Sequence, residues 1–136
     1  MARLTVTQRE MERAYRAHKR ATDSCASFSG DLLRAYAVEC GLKAALMKRH
    51  RVATSEDLPR GAFGADGHDL RDGLKRLRLS LSLVVSARTE QKCPQVVPTN
   101  QLHVAHRYGV RLTEADAERT RRDLQGIIVW LEGELG

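Results

Sequence analysis

The sequence predicts an all-α protein, an antiparallel four-helix bundle with room for one further short helix. Three observations point there. Segments 8–23, 31–49, 69–87 and 114–135 carry apolar residues at helical spacing. Capping residues, Thr7, Asp66 and Thr113, stand ahead of three of them. Stretches 50–67 and 88–100 hold all three prolines and interrupt the periodicity. A chain of 136 residues fits one domain, 1–136, able to bury a modest core without metals or disulfides.

Thr7 and Glu10 form a capping box at the start of the first segment. Its inner face is Met11, Ala14, Tyr15, His18 and Ala21, and six basic residues between Arg3 and Arg20 make its outer face positive. Ser24 to Gly30 is small and polar around Phe28, either a tight turn or the ragged start of the next helix. Segment 31–49 organises the rest. Leu32, Leu33, Tyr36, Ala37, Cys40, Ala44 and Met47 form one broad apolar face, and Val38, Leu42, Ala45 and Leu46 cover much of the other. Glu39 and Lys43 interrupt it at i,i+4, acid first, the favourable order. Lys48 and Arg49 suit its C-terminal end.

After a loop with Pro59, Gly61, Gly64 and Gly67, Asp66 is a candidate N-cap with Asp69 three residues on. Leu70, Leu74, Leu77, Leu81 and Val84 then make an apolar stripe, with Arg71, Lys75 and Arg78 as a basic stripe beside it. The alternation in 77–85 also suits a strand, but with no partner in view the helix is preferred. Pro94 and Pro98 mark the second loop, and Gln101 to Tyr108 fits one or two helical turns closed by Gly109. Thr113 caps the last helix with Asp116, and Leu112 and Ala117 form a staple. Ala117, Leu124, Ile127, Ile128, Leu131 and Leu135 line its inner face, with Trp130 on the core edge or a partner face.

Lys and Arg outnumber Asp and Glu by 23 to 17, a formal charge of +6, which permits an anionic partner. Cys25, Cys40 and Cys93 are odd in number and lack CxxC spacing, the pattern of a reduced, cytoplasmic chain. The first 20 residues hold no apolar signal-peptide core, and no run reaches the roughly 18 apolar residues of a membrane span. Phosphate-loop, dinucleotide, zinc-protease, serine-hydrolase and calcium-loop motifs are absent. His103 and His106, at i,i+3, have no carboxylate cluster beside them, so neither a metal nor a cofactor is expected.

Six polar residues stand out: Glu39, Lys43, His68, Asp69, Arg107 and Tyr108. Two readings of them stand side by side. As a structural network, Glu39 pairs with Lys43, Arg107 neutralises Glu39, Asp69 sits in a helix first turn beside His68, and Tyr108 packs on the bundle. As a catalytic set, His68 moves protons while Lys43 and Arg107 face a phosphorane, as a metal-free ribonuclease requires. Arg71, Lys75, Arg78 and Tyr108 would then contact RNA or phosphate.

The chain resembles the HEPN superfamily of small helical-bundle proteins. The resemblance rests on Ala35-Tyr36-Ala37-Val38-Glu39-Cys40-Gly41-Leu42-Lys43, then Gly67-His68-Asp69-Leu70, then Arg107-Tyr108, with Ala115 to Leu131 similar to the closing helix. Each motif is short; their order and spacing carry the match, from about Phe28 to Glu132. The resemblance implies a homodimer with a polar groove near its interface. It also implies membership of a bacterial toxin–antitoxin or antiviral defence system. The role there is ribonuclease, RNA- or nucleotide-binding module, or partner of a nucleotidyltransferase or another defence subunit. Active members carry an Arg, four to six residues, then a His near the final helix. Here no histidine follows Arg107, and the one formal match, Arg13 and His18, lies on the first helix with side chains about 140° apart. The expectation is therefore a dimeric RNA- or protein-binding component. The alternatives are a divergent metal-independent ribonuclease using His68 and Arg107, and a purely structural interaction protein.

Overall fold

The structure, a computed structural model, describes residues 5–24 and 27–136, with Ser27 and Phe28 as backbone alone. Arg3 and Cys25 lie outside the described residues. Among the described residues five α-helices carry the fold: α1 (Gln8–Ser24), α2 (Ser27–His50), α3 (Leu70–Arg76), α4 (Leu102–Arg107) and α5 (Glu114–Leu135). Strands β1 (Ser86–Arg88) and β2 (Val96–Pro98) form a small antiparallel ribbon, with Ala87 opposite Val97. Among the described residues no helix is long and apolar enough to cross a membrane.

Helix α2 is the centre, and its apolar girth is the reason. Ala37, Val38, Leu42, Ala44, Ala45, Leu46 and Met47 are wholly buried. Met11 and Tyr15 of α1 and Leu124, Ile127, Ile128 and Leu131 of α5 join them in one core. The capping box forms as expected: the Thr7 amide donates to Glu10 Oε1 at 3.0 Å, and the Glu10 amide to Thr7 Oγ1 at 3.1 Å. At α5 the box is one-sided. Thr113 Oγ1 accepts from the Asp116 amide, but the Asp116 carboxylate accepts from the Arg88 amide of β1. Leu112 and Ala117 meet in a second, smaller cluster with Val84, Ala87 and Leu102.

Two boundaries differ from the sequence reading. Residues 27–30 are the first turn of α2, so its start lies ahead of Asp31. The helix expected over 69–87 is realised only as Leu70–Arg76. Its N-cap is Asp69 rather than Asp66: Asp69 Oδ1 accepts from the amides of Arg71 and Asp72. Its C-terminus is a Schellman turn. The Leu79 amide donates to Leu74 O and the Arg78 amide to Lys75 O, both at 3.0 Å, with Arg78 left-handed at φ 57. Arg78 therefore leaves the helix, and the expected stripe of Arg71, Lys75 and Arg78 does not form. The chain beyond runs irregularly to β1, buries Leu83 and Val84, and finds in Val96–Pro98 the pairing partner that the sequence did not reveal.

The loop before α3 is built to hold a fixed shape. Gly61, Gly64 and Gly67 all take positive φ. Buried Phe63 shares that conformation at φ 65, clasped by its amide on Asp72 Oδ2 (2.7 Å) and its carbonyl on the Asp69 amide (2.8 Å). Its ring lies against Gly73, where a Cβ would collide with ring carbons.

Candidate functional site

Tyr36, Glu39 and Lys43 stand at i, i+3 and i+7 of α2 and share one face. The glycine loop delivers His68 to it. Asp66 Oδ1 accepts from the His68 amide at 3.0 Å, fixing the backbone one step before the α3 cap. That same amide holds the Asp66 carboxyl below its ordinary range, helped by Asn100. His68 Nδ1 then meets Glu39 Oε1 at 2.7 Å, while Glu39 Oε2 accepts from Lys43 Nζ at 3.1 Å. An ionised carboxylate only accepts, so Nδ1 carries the proton and Nε2 is the unprotonated nitrogen of neutral His68. Lys43 Nζ also lies 5.4 Å from the centroid of the Phe63 ring. A carboxylate and an aromatic face thus occupy this cation.

Short helix α4 supplies the opposite wall. The His103 ring lies 4.2 Å from that of His68, and Tyr36 lies between His103 (6.5 Å) and His18 of α1 (5.7 Å). Burial lowers the His103 pKa, and the neighbouring His68 and Arg107 add to that against Glu39. Beside this row, burial pushes the Cys40 thiol up to about 11, and Glu39 adds to the shift. At the outer end Arg107 Nη2 donates to Tyr36 Oη at 2.9 Å, a bond that raises the arginine pKa further. Tyr108 follows it at 72 % exposure.

The polar side chains therefore form a row: Lys43, Glu39, His68, His103, Tyr36 and Arg107, with His18 against Tyr36. They do not converge on one point. The crevice between Tyr36, Glu39, His68 and His103 measures about 10 Å³, room for a single water.

Comparison with known proteins brings no match. No family model, no curated protein and no solved structure matches this chain.

The residues singled out in the sequence are thus divided. Glu39, Lys43 and His68 meet directly. Arg107 does not neutralise Glu39 as the structural reading had it; it is held by the Tyr36 hydroxyl. Asp69 caps α3, and Tyr108 is exposed where packing on the bundle was expected. Arg71 donates Nη1 to Leu83 O at 2.9 Å, bracing the chain that leaves α3. Lys75 and Arg71 share a 520 Å³ surface groove with Asp69, Asp72, Leu79 and Leu81, so that surface mixes both signs of charge with leucines. His103 and His106 separate: His106 is buried toward Asp31, Arg34 and Arg121, where desolvation lowers its pKa against the pull of Asp31. Among the described residues no three His, Cys, Asp or Glu side chains are grouped to hold a metal.

Sequence reasoning missed Tyr36, His18 and His103 as members of the row. His18 did fall on the inner face of the first helix, seven residues after Met11, and that was the available signal. Tyr36 reads as apolar face and as part of the resemblance motif, and nothing local pairs it with a histidine 67 positions on.

Proposed function

We propose that this chain is a HEPN-like helical module that binds RNA without cleaving it, contacting the strand at the Arg107–Tyr108 edge. The observation that carries this is the state of the candidate catalytic groups. Lys43 and His68 both hang on one carboxylate, and the crevice beside them takes one water rather than a phosphodiester. Arg107 and Tyr108, by contrast, are exposed neighbours. A guanidinium beside an open phenol ring offers a phosphate contact and a stacking face. The net charge of +6 favours the same partner. RNA rather than DNA, a homodimer, and a role in a defence or toxin–antitoxin system rest on the resemblance, and cytoplasmic placement on the cysteine pattern.

Binding and cleavage are separable in one experiment. The purified protein is titrated against fluorescein-labelled single-stranded RNA by anisotropy, and the same mixtures, with tRNA and total RNA beside them, are run on denaturing gels. The expected result is salt-sensitive binding with intact RNA, weakened about 5- to 150-fold by Tyr108→Ala if one base stacks there. Cleavage that disappears in His68→Ala would replace this reading with the divergent ribonuclease. One observation favours that second reading: Glu39 sets His68 in the tautomer whose Nε2 can accept a proton, as a general base must.

A further inference from the structure

Arg9, Arg13, Arg16 and Arg20 stand at i, i+4, i+7 and i+11 of α1. On an ideal helix these positions fall within an arc of about 60° and along about 16 Å of axis. All four are exposed. The buried face of α1, Met11, Tyr15 and Thr22, lies on the far side, as does His18. The Arg13 and His18 of the formal motif therefore serve two different surfaces.

Several arginines elsewhere in the molecule are paired with acids. Arg34 and Arg121 close on Asp31, Arg76 on Asp72 and Arg49 on Glu134. Among the described residues none of the four stripe arginines donates a hydrogen bond or closes a salt bridge. The carboxylates nearby are largely engaged or set aside. Glu10 is bonded to Thr7 at the cap. Glu132 pairs with Lys19 and accepts from Tyr15; both hold its pKa low, and the charge of Arg16 adds to the shift. Glu12 and Asp23 flank the arc without pairing to it. Like charges at this spacing disfavour an isolated helix. The stripe also borders open space on both sides. A 230 Å³ groove runs along Arg9, Arg13, Arg16 and Arg20 over the small floor of Ala17. A 330 Å³ cleft against α5 shares Arg16 and Arg20, with Lys19 and the carboxylates Asp23 and Glu132 also on its wall.

We propose that this stripe is a second nucleic-acid contact, gripping the phosphodiester backbone of a single strand without reading its bases. Three features select that occupant. The spacing of about 4.5–6 Å between successive arginines along the helix matches a repeating anion. Guanidinium groups take phosphate oxygens in pairs. The stripe offers no aromatic or large aliphatic anchor of the kind a protein interface centres on, and no ring for a base to stack on. The surface is independent of the Arg107–Tyr108 edge, and either can stand without the other.

The test is the salt dependence of binding to a labelled 20-nucleotide oligouridylate, read by anisotropy between 50 and 200 mM KCl. Four phosphate contacts contribute about −2.8 to the slope of log K against log salt for a single strand. Arg13→Ala with Arg16→Ala is expected to make the slope shallower by about 1.4 and to weaken binding at 50 mM salt, while circular dichroism stays native. Arg13→Lys with Arg16→Lys keeps the slope, and oligothymidylate behaves like oligouridylate. Arg107→Ala with Tyr108→Ala leaves the contribution of the stripe in place. The proposal is overturned if the double alanine variant keeps both slope and affinity, or if the native protein binds no oligonucleotide. Equal affinity for oligoglutamate also overturns it, making the stripe an acidic-peptide surface. Loss of binding in the Arg107/Tyr108 variant alone retains the edge and removes the stripe; the reverse result removes the edge.

Discussion

Gly41, midway along α2, gives a prediction whose sign depends on packing. Replacing a helical glycine by alanine normally stabilises by about 0.4–1 kcal/mol, because the unfolded chain loses freedom. At Gly126 of α5 an added Cβ meets nothing within 4 Å, so Gly126→Ala should realise that gain. At Gly41 the same Cβ would overlap a methyl of Leu131 and come within 2.9 Å of Tyr15 Cδ1. Leu131 is fully buried, and Tyr15 is buried with its hydroxyl tied to Glu132 at 2.7 Å. Overpacking of this kind costs about 1–3 kcal/mol. Both neighbours are core groups, so the net effect should be a loss of about 1–2 kcal/mol, against a gain at Gly126. Urea unfolding followed by circular dichroism reads the difference directly. Leu131→Ala alone should cost about 2–5 kcal/mol, and combined with Gly41→Ala it should cost less than the sum, since the smaller side chain relieves the clash. If Gly41→Ala stabilises as much as Gly126→Ala, α1, α2 and α5 do not meet at Gly41 and the packing argument fails.

Three further outcomes follow from the polar row and its surroundings. Glu39→Gln removes the one carboxylate that Lys43 and His68 share, and should lower unfolding free energy by about 1–3 kcal/mol; an unchanged urea midpoint would mark the row as incidental. His103 and His106 have folded-state pKa values below their ordinary 6.5, so the unfolded chain binds more protons in that range. Their contribution is complete above pH 6.5 and is lost as pH falls through the lowered values. Stability should therefore drop from pH 7.5 toward pH 5, and His103→Gln or His106→Gln should flatten that drop in urea titrations; an equal slope in both variants would refute the assignment. The half-buried Cys40 thiol, pushed up to about 11, should react with iodoacetamide at pH 8 much more slowly than exposed Cys93, as peptide mass mapping would show; equal native labelling of the two would contradict the raised value.

The sequence by itself determined the three long helices and the dominance of α2. Periodic apolar residues and caps such as Thr7–Glu10 act within a turn or two of chain, so their signals are written next to one another. The same locality made Glu39–Lys43 legible at i,i+4. The end of α3 was not legible, because its left-handed C′ residue is Arg78 rather than glycine and the leucine stripe continues past it. What holds Arg78 there is a hydrogen-bonded turn, followed by chain that packs Leu83 inside and pairs with residues 96–98. The row at the candidate site belongs to tertiary structure for the same physical reason. His68 reaches Glu39 across 29 residues and Arg107 reaches Tyr36 across 71. No helical period relates such positions; a glycine loop and a six-residue helix bring them together on the face of α2.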